Sequence, residues 1–450
     1  MNMDSGREET TPQSFPAIIT AERDGYYGIA GVISSRLHSN VKRPEWEKAT
    51  KEETQVDALQ APRVIDILRR YTPSLLRRVR LAAQAKNVLS RILLCRTATL
   101  KGRLYECPTC HSECNVYNSC VDRHCPQCGG ARRANWLEKT EQLVLPQVNY
   151  FQVVFTLPAQ LSGLILGNRQ ALYDLLFHTA WRALDETLRA TGQFQPAAQL
   201  VLHTWNQCLG HHAHIHALVP GGGPSLDGRR WITSRHPTQP RRRKPFLVDN
   251  TELGQSFRKH YVDGLRRLVL NGKLRLEGEW FWLQDPTQRE AWLDELTATD
   301  WNVFVEGPPH GESRPTDVLK YLARYMTGGP ISDRRLISDE DGVVTFWARS
   351  KEKGQDSRYE EFPLKGTEFV RRWTMHILPK GYTRSRAYGG YHGTKRAAYL
   401  DDCRRLLGIA VDAPVSTDDR LEDAEPSGPK CPHCEITMLC IGQQSRPCLL

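Results

Sequence analysis

His211-His212-Ala213-His214-Ile215-His216-Ala217-Leu218-Val219-Pro220-Gly221-Gly222-Gly223 alternates imidazoles with small or apolar side chains before entering an apolar run. Period-two alternation is the pattern of a β-strand. Successive side chains leave a strand on opposite faces, so His212, His214 and His216 share one face, and Ala213, Ile215 and Ala217 point the other way into a core. A single histidine here would read as a residue of a half-buried strand. Three in register form half of a metal site. His214 and His216 are the central pair, and imidazole accepts Mn2+ or Zn2+ as well as Mg2+. Just upstream, Leu200 to Trp205 reads as another strand, separated from the first by a short loop around Gly210. An antiparallel pairing of the two would bring His203 beside the histidine face. His212 and His203 are therefore the candidates for a third ligand.

The stretch Pro315-Thr316-Asp317-Val318-Leu319-Lys320-Tyr321-Leu322-Ala323-Arg324-Tyr325-Met326-Thr327-Gly328-Gly329-Pro330 supplies a reaction. Pro315 and Thr316 suit the first helical positions, and Gly328-Gly329-Pro330 ends the helix. Tyr321 and Tyr325 are four residues apart and so lie on one helix face. Such pairs are commonly packing. Beside a histidine strand in a basic protein, they point to metal-assisted phosphotyrosine chemistry. A free phenol ionises near pH 10, so forming phenolate at pH 7 costs about 4 kcal/mol. A divalent ion polarising a phosphate offsets part of that cost, and the phenol can then attack covalently.

Cys107-Pro108-Thr109-Cys110 and Cys125-Pro126-Gln127-Cys128 form two CxxC pairs fourteen residues apart, close to zinc-ribbon spacing. The short turn of each pair can bring both thiolates to about 2.3 Å from one ion. We therefore expect a structural Zn2+ on Cys107, Cys110, Cys125 and Cys128. Four closed ligands bind rather than catalyse, and the flanking Arg123, Arg132 and Arg133 suit DNA phosphates. Near the C-terminus, Cys431-Pro432-His433-Cys434, with Cys440 and Cys448 beyond, is a weaker zinc signal.

The chain has 450 residues, too many for one ordinary core, and two or three domains are expected. It is 40% hydrophobic and 25% charged, with a mean hydropathy of −0.52. The absence of an eighteen-residue apolar run excludes a membrane-spanning helix, and the N-terminus lacks an export signal, so a cytoplasmic protein is expected. There, thirteen cysteines favour metal over disulfides. A net charge of +10 favours a polyanionic partner through counterion release. No phosphate-binding loop of the Walker type is present, so no nucleotide cofactor is expected.

In chain order, residues 1–58 read as a flexible N-terminal arm and 59–142 as a zinc-binding, DNA-recognising region. Within it, Val64 to Ser90 has the period of one or two basic amphipathic helices. Residues 146–410 form the catalytic region and 411–450 an acidic linker with a cysteine-containing tail. Strands are expected at Phe151–Leu157, Leu200–Trp205, Trp301–Val305 and Val343–Ala348, and helices at Leu166–Leu188 and Phe369–Ile377. Pro240-Arg241-Arg242-Arg243-Lys244-Pro245 reads as an exposed basic loop, and Tyr382-Thr383-Arg384-Ser385-Arg386 as a basic exit. The interleaving of strands and helices gives an α+β fold with a largely antiparallel sheet.

The histidine strand running into Val219-Pro220-Gly221-Gly222-Gly223 resembles the HUH element of rolling-circle transposases of the insertion-sequence-ninety-one type. Tyr150–Pro158, Val201–Trp205, Tyr321–Tyr325, Phe369–Arg372 and His376–Gly381 extend the likeness in the same order, over roughly residues 60 to 410. The resemblance implies an HUH endonuclease-like antiparallel sheet with flanking helices, preceded by a helical, zinc-ribbon-like DNA-binding domain. It also matches Cys95, Cys120 and His124 to that zinc domain, so Cys120 and His124 become candidate zinc ligands. The implied activity is cleavage and rejoining of single-stranded DNA at transposon ends and target DNA. Tyr321 and Tyr325 would act through a 5′-phosphotyrosine, with Mg2+ or Mn2+ on His214, His216 and a third ligand. Arg324, Arg384 and Arg386 join the DNA-contacting candidates, and the expected location is the nucleoid. This chain departs from the family pattern at Arg103, Ala387 and Met326-Thr327-Gly328-Gly329. A plasmid replication initiator or relaxase would use the same chemistry. A zinc-dependent DNA binder, or a metal hydrolase of small molecules, would not need the tyrosines.

Overall fold

A computed structural model describes residues 62–234, 247–299, 301–307, 329–350, 358–409 and 428–444. Tyr321, Arg324 and Tyr325, the basic loop around Arg241–Arg243, and Cys448 lie outside the described residues.

The amphipathic period after Val64 resolves into two helices, Val64–Arg78 (α1) and Ala83–Leu93 (α2). Their buried stripes are Val64, Ile65, Ile67, Leu68 and Leu75 on α1, and Val88, Leu89 and Ile92 on α2. The hairpin Gly102–Glu106 (β1) and Glu113–Tyr117 (β2) follows, then helix Gly129–Glu141 (α3), which carries Arg132 and Arg133. Next come Tyr150–Thr156 (β3), Ser162–Gly167 (α4), Arg169–Thr187 (α5), Ala197–Trp205 (β4) and His211–Pro220 (β5). A small hairpin, Gly222–Pro224 (β6) and Trp231–Thr233 (β7), precedes Asn250–Leu270 (α6). The Asp249 carboxylate caps α6 by accepting from the Thr251 and Glu252 N–H groups. Pro286–Ala298 (α7) begins at a proline and is capped by Asp285. It leads to Val303–Glu306 (β8). Leu336–Glu340 (β9), Val343–Ser350 (β10) and Arg358–Lys365 (β11) form a meander, followed by Gly366–Met375 (α8). The remaining elements are Ser385–Gly389 (β12), Arg396–Leu407 (α9) and Leu439–Gln444 (β13).

The fold is α+β with antiparallel sheets. The central sheet has the order β12-β4-β5-β3-β8, with every pairing antiparallel. Strand alternation sorts its two faces. Val153, Phe155, Leu200, Leu202, Ala213, Ile215 and Ala217 enter one core with α5 and α6. On the opposite face, Tyr150, Ala197, Val201 and Leu218 pack with Tyr391, Tyr399 and Leu400, and the histidines sit beyond that cluster. Fully burying a side chain such as Ile215 contributes about 1.5–3 kcal/mol, which fixes the face the histidines occupy.

A second core joins the two ends of the fold: α1 and α2 pack with Val344, Phe346, Phe369, Val370 and Trp373 of the β9–β11 sheet and α8. The third sheet, ordered β13-β1-β2, draws a C-terminal strand onto the N-terminal hairpin. Tyr382 to Arg386 is not the basic exit expected from its composition. Its last two residues open β12, and Ser385 pairs with Val201 on the outer edge of β4, because that edge offers unpaired backbone groups. Gly389 ends β12 at φ +60, where an added Cβ would also meet the Pro196 carbonyl and the Trp181 ring. No described helix is long and apolar enough to cross a membrane.

Candidate metal centres

Register builds the first centre. His203 on β4 pairs directly with His214 on β5, and the candidate ligand nitrogens of His203, His214 and His216 all lie within 4.8 Å of one another. Ring centroids are 4.5 Å apart for His203–His216, 5.3 Å for His203–His214 and 5.0 Å for His214–His216. Of the two candidates for the third position, His203 closes the set. His212, whose ring centroid is 5.4 Å from that of His214, stands outside it, one step nearer the start of the strand.

Hydrogen bonds orient the rings. His214 Nδ1 lies 2.9 Å from the His212 carbonyl oxygen; a carbonyl only accepts, so Nδ1 carries the proton and Nε2 keeps its lone pair. His216 Nδ1 lies 2.7 Å from the Gln152 side-chain amide on β3. The Gln152 Oε1 is buried with no hydrogen-bond partner among the described residues. The two ends of an amide are interchangeable in shape, and turning it lets Oε1 accept from Nδ1–H and frees His216 Nε2. The orphaned oxygen therefore fits a liganding role for His216. Burial, helped by the charge of Arg384, pushes His216 down to about 3. Burial also holds His214 well below the usual histidine range, with the neighbouring imidazoles adding to the effect. Both stay neutral, as metal ligation requires. Three imidazoles leave positions open for a substrate oxygen, unlike a closed structural site.

Arg384 borders this centre. Its guanidinium is buried, donates from Nε to the Leu202 carbonyl at 3.1 Å, and lies 5.0 Å from the Trp205 ring centroid. Trp205 in turn stacks on His203 at 4.6 Å. Arg384 Nη2 has no hydrogen-bond partner among the described residues, and burial pulls the group down to about 10. A buried cation with an unused donor beside the imidazole triad suits a phosphate. Two other arginines expected at DNA are engaged within the protein. Arg386 pairs with Asp174 at 2.5 Å and lies over the Phe177 and Tyr382 rings. Arg123 donates to the carbonyls of Pro379 and Tyr382.

The cysteines do not form the expected single ribbon. Cys125 and Cys128 gather with Cys95 and Cys120, whereas Cys107 and Cys110 gather with Cys431 and Cys434. In each quartet the four sulfurs lie within 4.8 Å of one another. The reason is topological: β1 and β2 carry the first CxxC pair away toward β13, while α2 delivers Cys95 to the second pair. His124 belongs to neither quartet. Its Nδ1 pairs with Asp122 at 2.9 Å and its Nε2 accepts the Leu378 N–H at 3.1 Å, so both ring nitrogens are used. Burial opposes the charge on Asp122, but hydrogen bonds from His124 and Arg91 outweigh it and hold the carboxyl below the usual range. Cys95 and Cys431 entered the sequence pattern only weakly, and Gln152 and Trp205, though inside stretches that carry the resemblance, were not singled out as neighbours of the histidines.

The described residues thus bring together one imidazole triad and two thiol quartets, each able to hold a metal ion. A family model described as "Transposase zinc-binding domain" matches residues 67–157, and another described as "Putative transposase" matches residues 198–398. The chain belongs to the insertion-sequence-ninety-one family of transposases. It is 36% identical over 392 residues to "Putative transposase y4qJ" of Sinorhizobium fredii (strain NBRC 101917 / NGR234), covering 84% of this chain and 94% of that one. It is 26% identical over 331 residues to "Transposase for insertion sequence element IS801" of Pseudomonas savastanoi pv. phaseolicola, covering 73% and 75% of the two chains. No solved structure matches it. The Cys95 quartet lies wholly within the zinc-binding match, and the histidine triad within the transposase match.

Proposed function

We propose that the protein nicks and rejoins single-stranded DNA at the ends of its element and at target DNA through a 5′-phosphotyrosine, driving rolling-circle transposition on the nucleoid. The observation that carries this reading is the His203–His214–His216 triad, with two of its rings oriented from Nδ1. A Mg2+ or Mn2+ ion on these imidazoles would supply Lewis-acid polarisation of the scissile phosphodiester. Arg384 supplies a fixed cation for a phosphate oxygen. A phenol oxygen of Tyr321 or Tyr325 attacks phosphorus, its proton is lost, and the bond to the 3′ oxygen breaks. The products are a tyrosyl 5′-phosphodiester and a free 3′-hydroxyl. Attack by a 3′-hydroxyl reverses the step and restores the tyrosine without ATP. The two phenols allow a second cleavage while the first is occupied. The route of the chain supports this assignment, because β8 ends at Glu306, the register partner of Gln152, just before the tyrosine-bearing stretch. Cys95, Cys120, Cys125 and Cys128 hold a structural Zn2+ in the DNA-recognising region.

The test is incubation with a 3′-labelled single-stranded end oligonucleotide and Mn2+. The expected result is a covalent protein–DNA adduct that is lost in the double variant Tyr321→Phe/Tyr325→Phe and in His214→Ala/His216→Ala. Binding without any adduct in the wild-type protein would instead describe a zinc-dependent DNA binder.

A further inference from the structure

The second thiol quartet lies partly beyond both matched regions, since Cys431 and Cys434 follow residue 398. Two knuckles of the same geometry build it. In the first, Cys107 N–H donates to the Ser112 carbonyl at 3.0 Å, His111 N–H donates to the Cys107 carbonyl at 3.0 Å, and His111 takes φ +56. In the second, Cys431 N–H donates to the Ile436 carbonyl at 2.9 Å, Glu435 N–H donates to the Cys431 carbonyl at 2.9 Å, and Glu435 takes φ +56. Both read Cys-Pro-x-Cys, followed by that left-handed residue. Each knuckle also joins the same sheet: Cys107 directly follows β1, and the knuckle at Cys431 leads into β13, which pairs with β1 from Gly102↔Gln444 to Glu106↔Leu439.

The sulfurs are spaced for metal rather than for a disulfide. Cys110 Sγ and Cys431 Sγ lie 3.5 Å apart, far beyond a disulfide bond of about 2.05 Å. They are close to the separation of roughly 3.8 Å that two thiolates have around a tetrahedral ion at about 2.3 Å. Cys107 and Cys431 are buried against Tyr105 and Met438, so the ion would be shielded on one side by a small apolar cluster. We propose that Cys107, Cys110, Cys431 and Cys434 hold a second structural Zn2+ ion that staples the C-terminal segment to the N-terminal zinc-binding region. The ion crosslinks positions 321 residues apart, counted from Cys110 to Cys431. It makes a ribbon from both ends of the chain and brackets the transposase region between them. Thiolates bind as anions, so the staple forms with release of protons and opens on chelation or acidification.

Zinc content per purified chain, measured by elemental analysis, tests the staple on the full-length protein. Cys431→Ser/Cys434→Ser and Cys107→Ser/Cys110→Ser should each lower the zinc count by one ion, and all four substitutions together should lower it by no more than one. A count unchanged in Cys431→Ser/Cys434→Ser, or losses that add when the pairs are combined, would overturn the proposal. Alkylation of the wild-type chain reads the same site without any substitution. Cys431 and Cys434 should be protected together with Cys107 and Cys110, and all four should become reactive together when a chelator strips the zinc. Reactivity of Cys431 and Cys434 at full zinc loading would also overturn it. Neither readout requires DNA cleavage, so the staple stands or falls apart from the nicking reaction.

Discussion

Gln152 shows how far a single side chain can govern the histidine centre. It is buried, and its amide lies 2.7 Å from His216 Nδ1. Replacing it by Leu should weaken Mn2+ binding by about 10- to 100-fold, as is usual when the partner of a liganding histidine is lost. Calorimetric titration of the variant checks this, and an unchanged affinity would mean that the ring is positioned by packing alone. The buried histidines also set an acid limit. Burial first, then neighbouring positive groups, pushes His211 and His216 down to about 3, and burial pushes His376 down to about 4. Their unfolded values lie near 6.5, so the folded state resists protonation that the unfolded state accepts. Stability is therefore fully present above about pH 6.5 and is lost as pH falls from there toward 4 and 3, at about 1.4 kcal/mol per histidine per pH unit. Metal-free protein should melt at a clearly lower temperature at pH 5 than at pH 7.5; a flat profile would show that these rings are hydrated.

At the scale of elements, β5 was legible because alternation is a one-dimensional signal that survives folding. His214, Ile215 and His216 face as their spacing requires. The pairing of β4 with β5 also followed, because a short loop between two strands leaves little choice but a hairpin. The partition of the cysteines was not legible. Two CxxC pairs near each other in sequence look like one ribbon, and only the β1–β13 pairing reveals that the first meets Cys431 and Cys434 from far along the chain. Composition likewise misled at Arg384, since a basic segment reads as surface until the open edge of β4 claims it. That edge gives a further prediction. Gly389→Ala should destabilise the protein by at least about 1–2 kcal/mol from the left-handed backbone alone, with the clash against Pro196 and Trp181 added. Thermal melting reports the loss, and reduced adduct yield should accompany it because β12 continues directly from Arg384.

For the whole molecule, charge and topology act together. The chain carries a net charge of +10, and the apolar face of its histidine-bearing sheet is sealed by α5 and α6. Affinity for single-stranded DNA should fall steeply with salt, by about a thousandfold between roughly 50 and 200 mM if several phosphates are neutralised. Fluorescence anisotropy across that range measures it, and a salt-independent affinity would point to binding by stacking alone. In the proposed reaction the histidine triad and the two tyrosines face one cation. Loading the protein with Fe2+ in place of Mn2+ and adding ascorbate with peroxide cuts the backbone only near the bound ion. Cuts are expected beside His203, beside His214–His216 and within residues 315–330, all suppressed by excess Mn2+. Cuts at the histidines with none between 315 and 330, in protein saturated with end DNA, would contradict it.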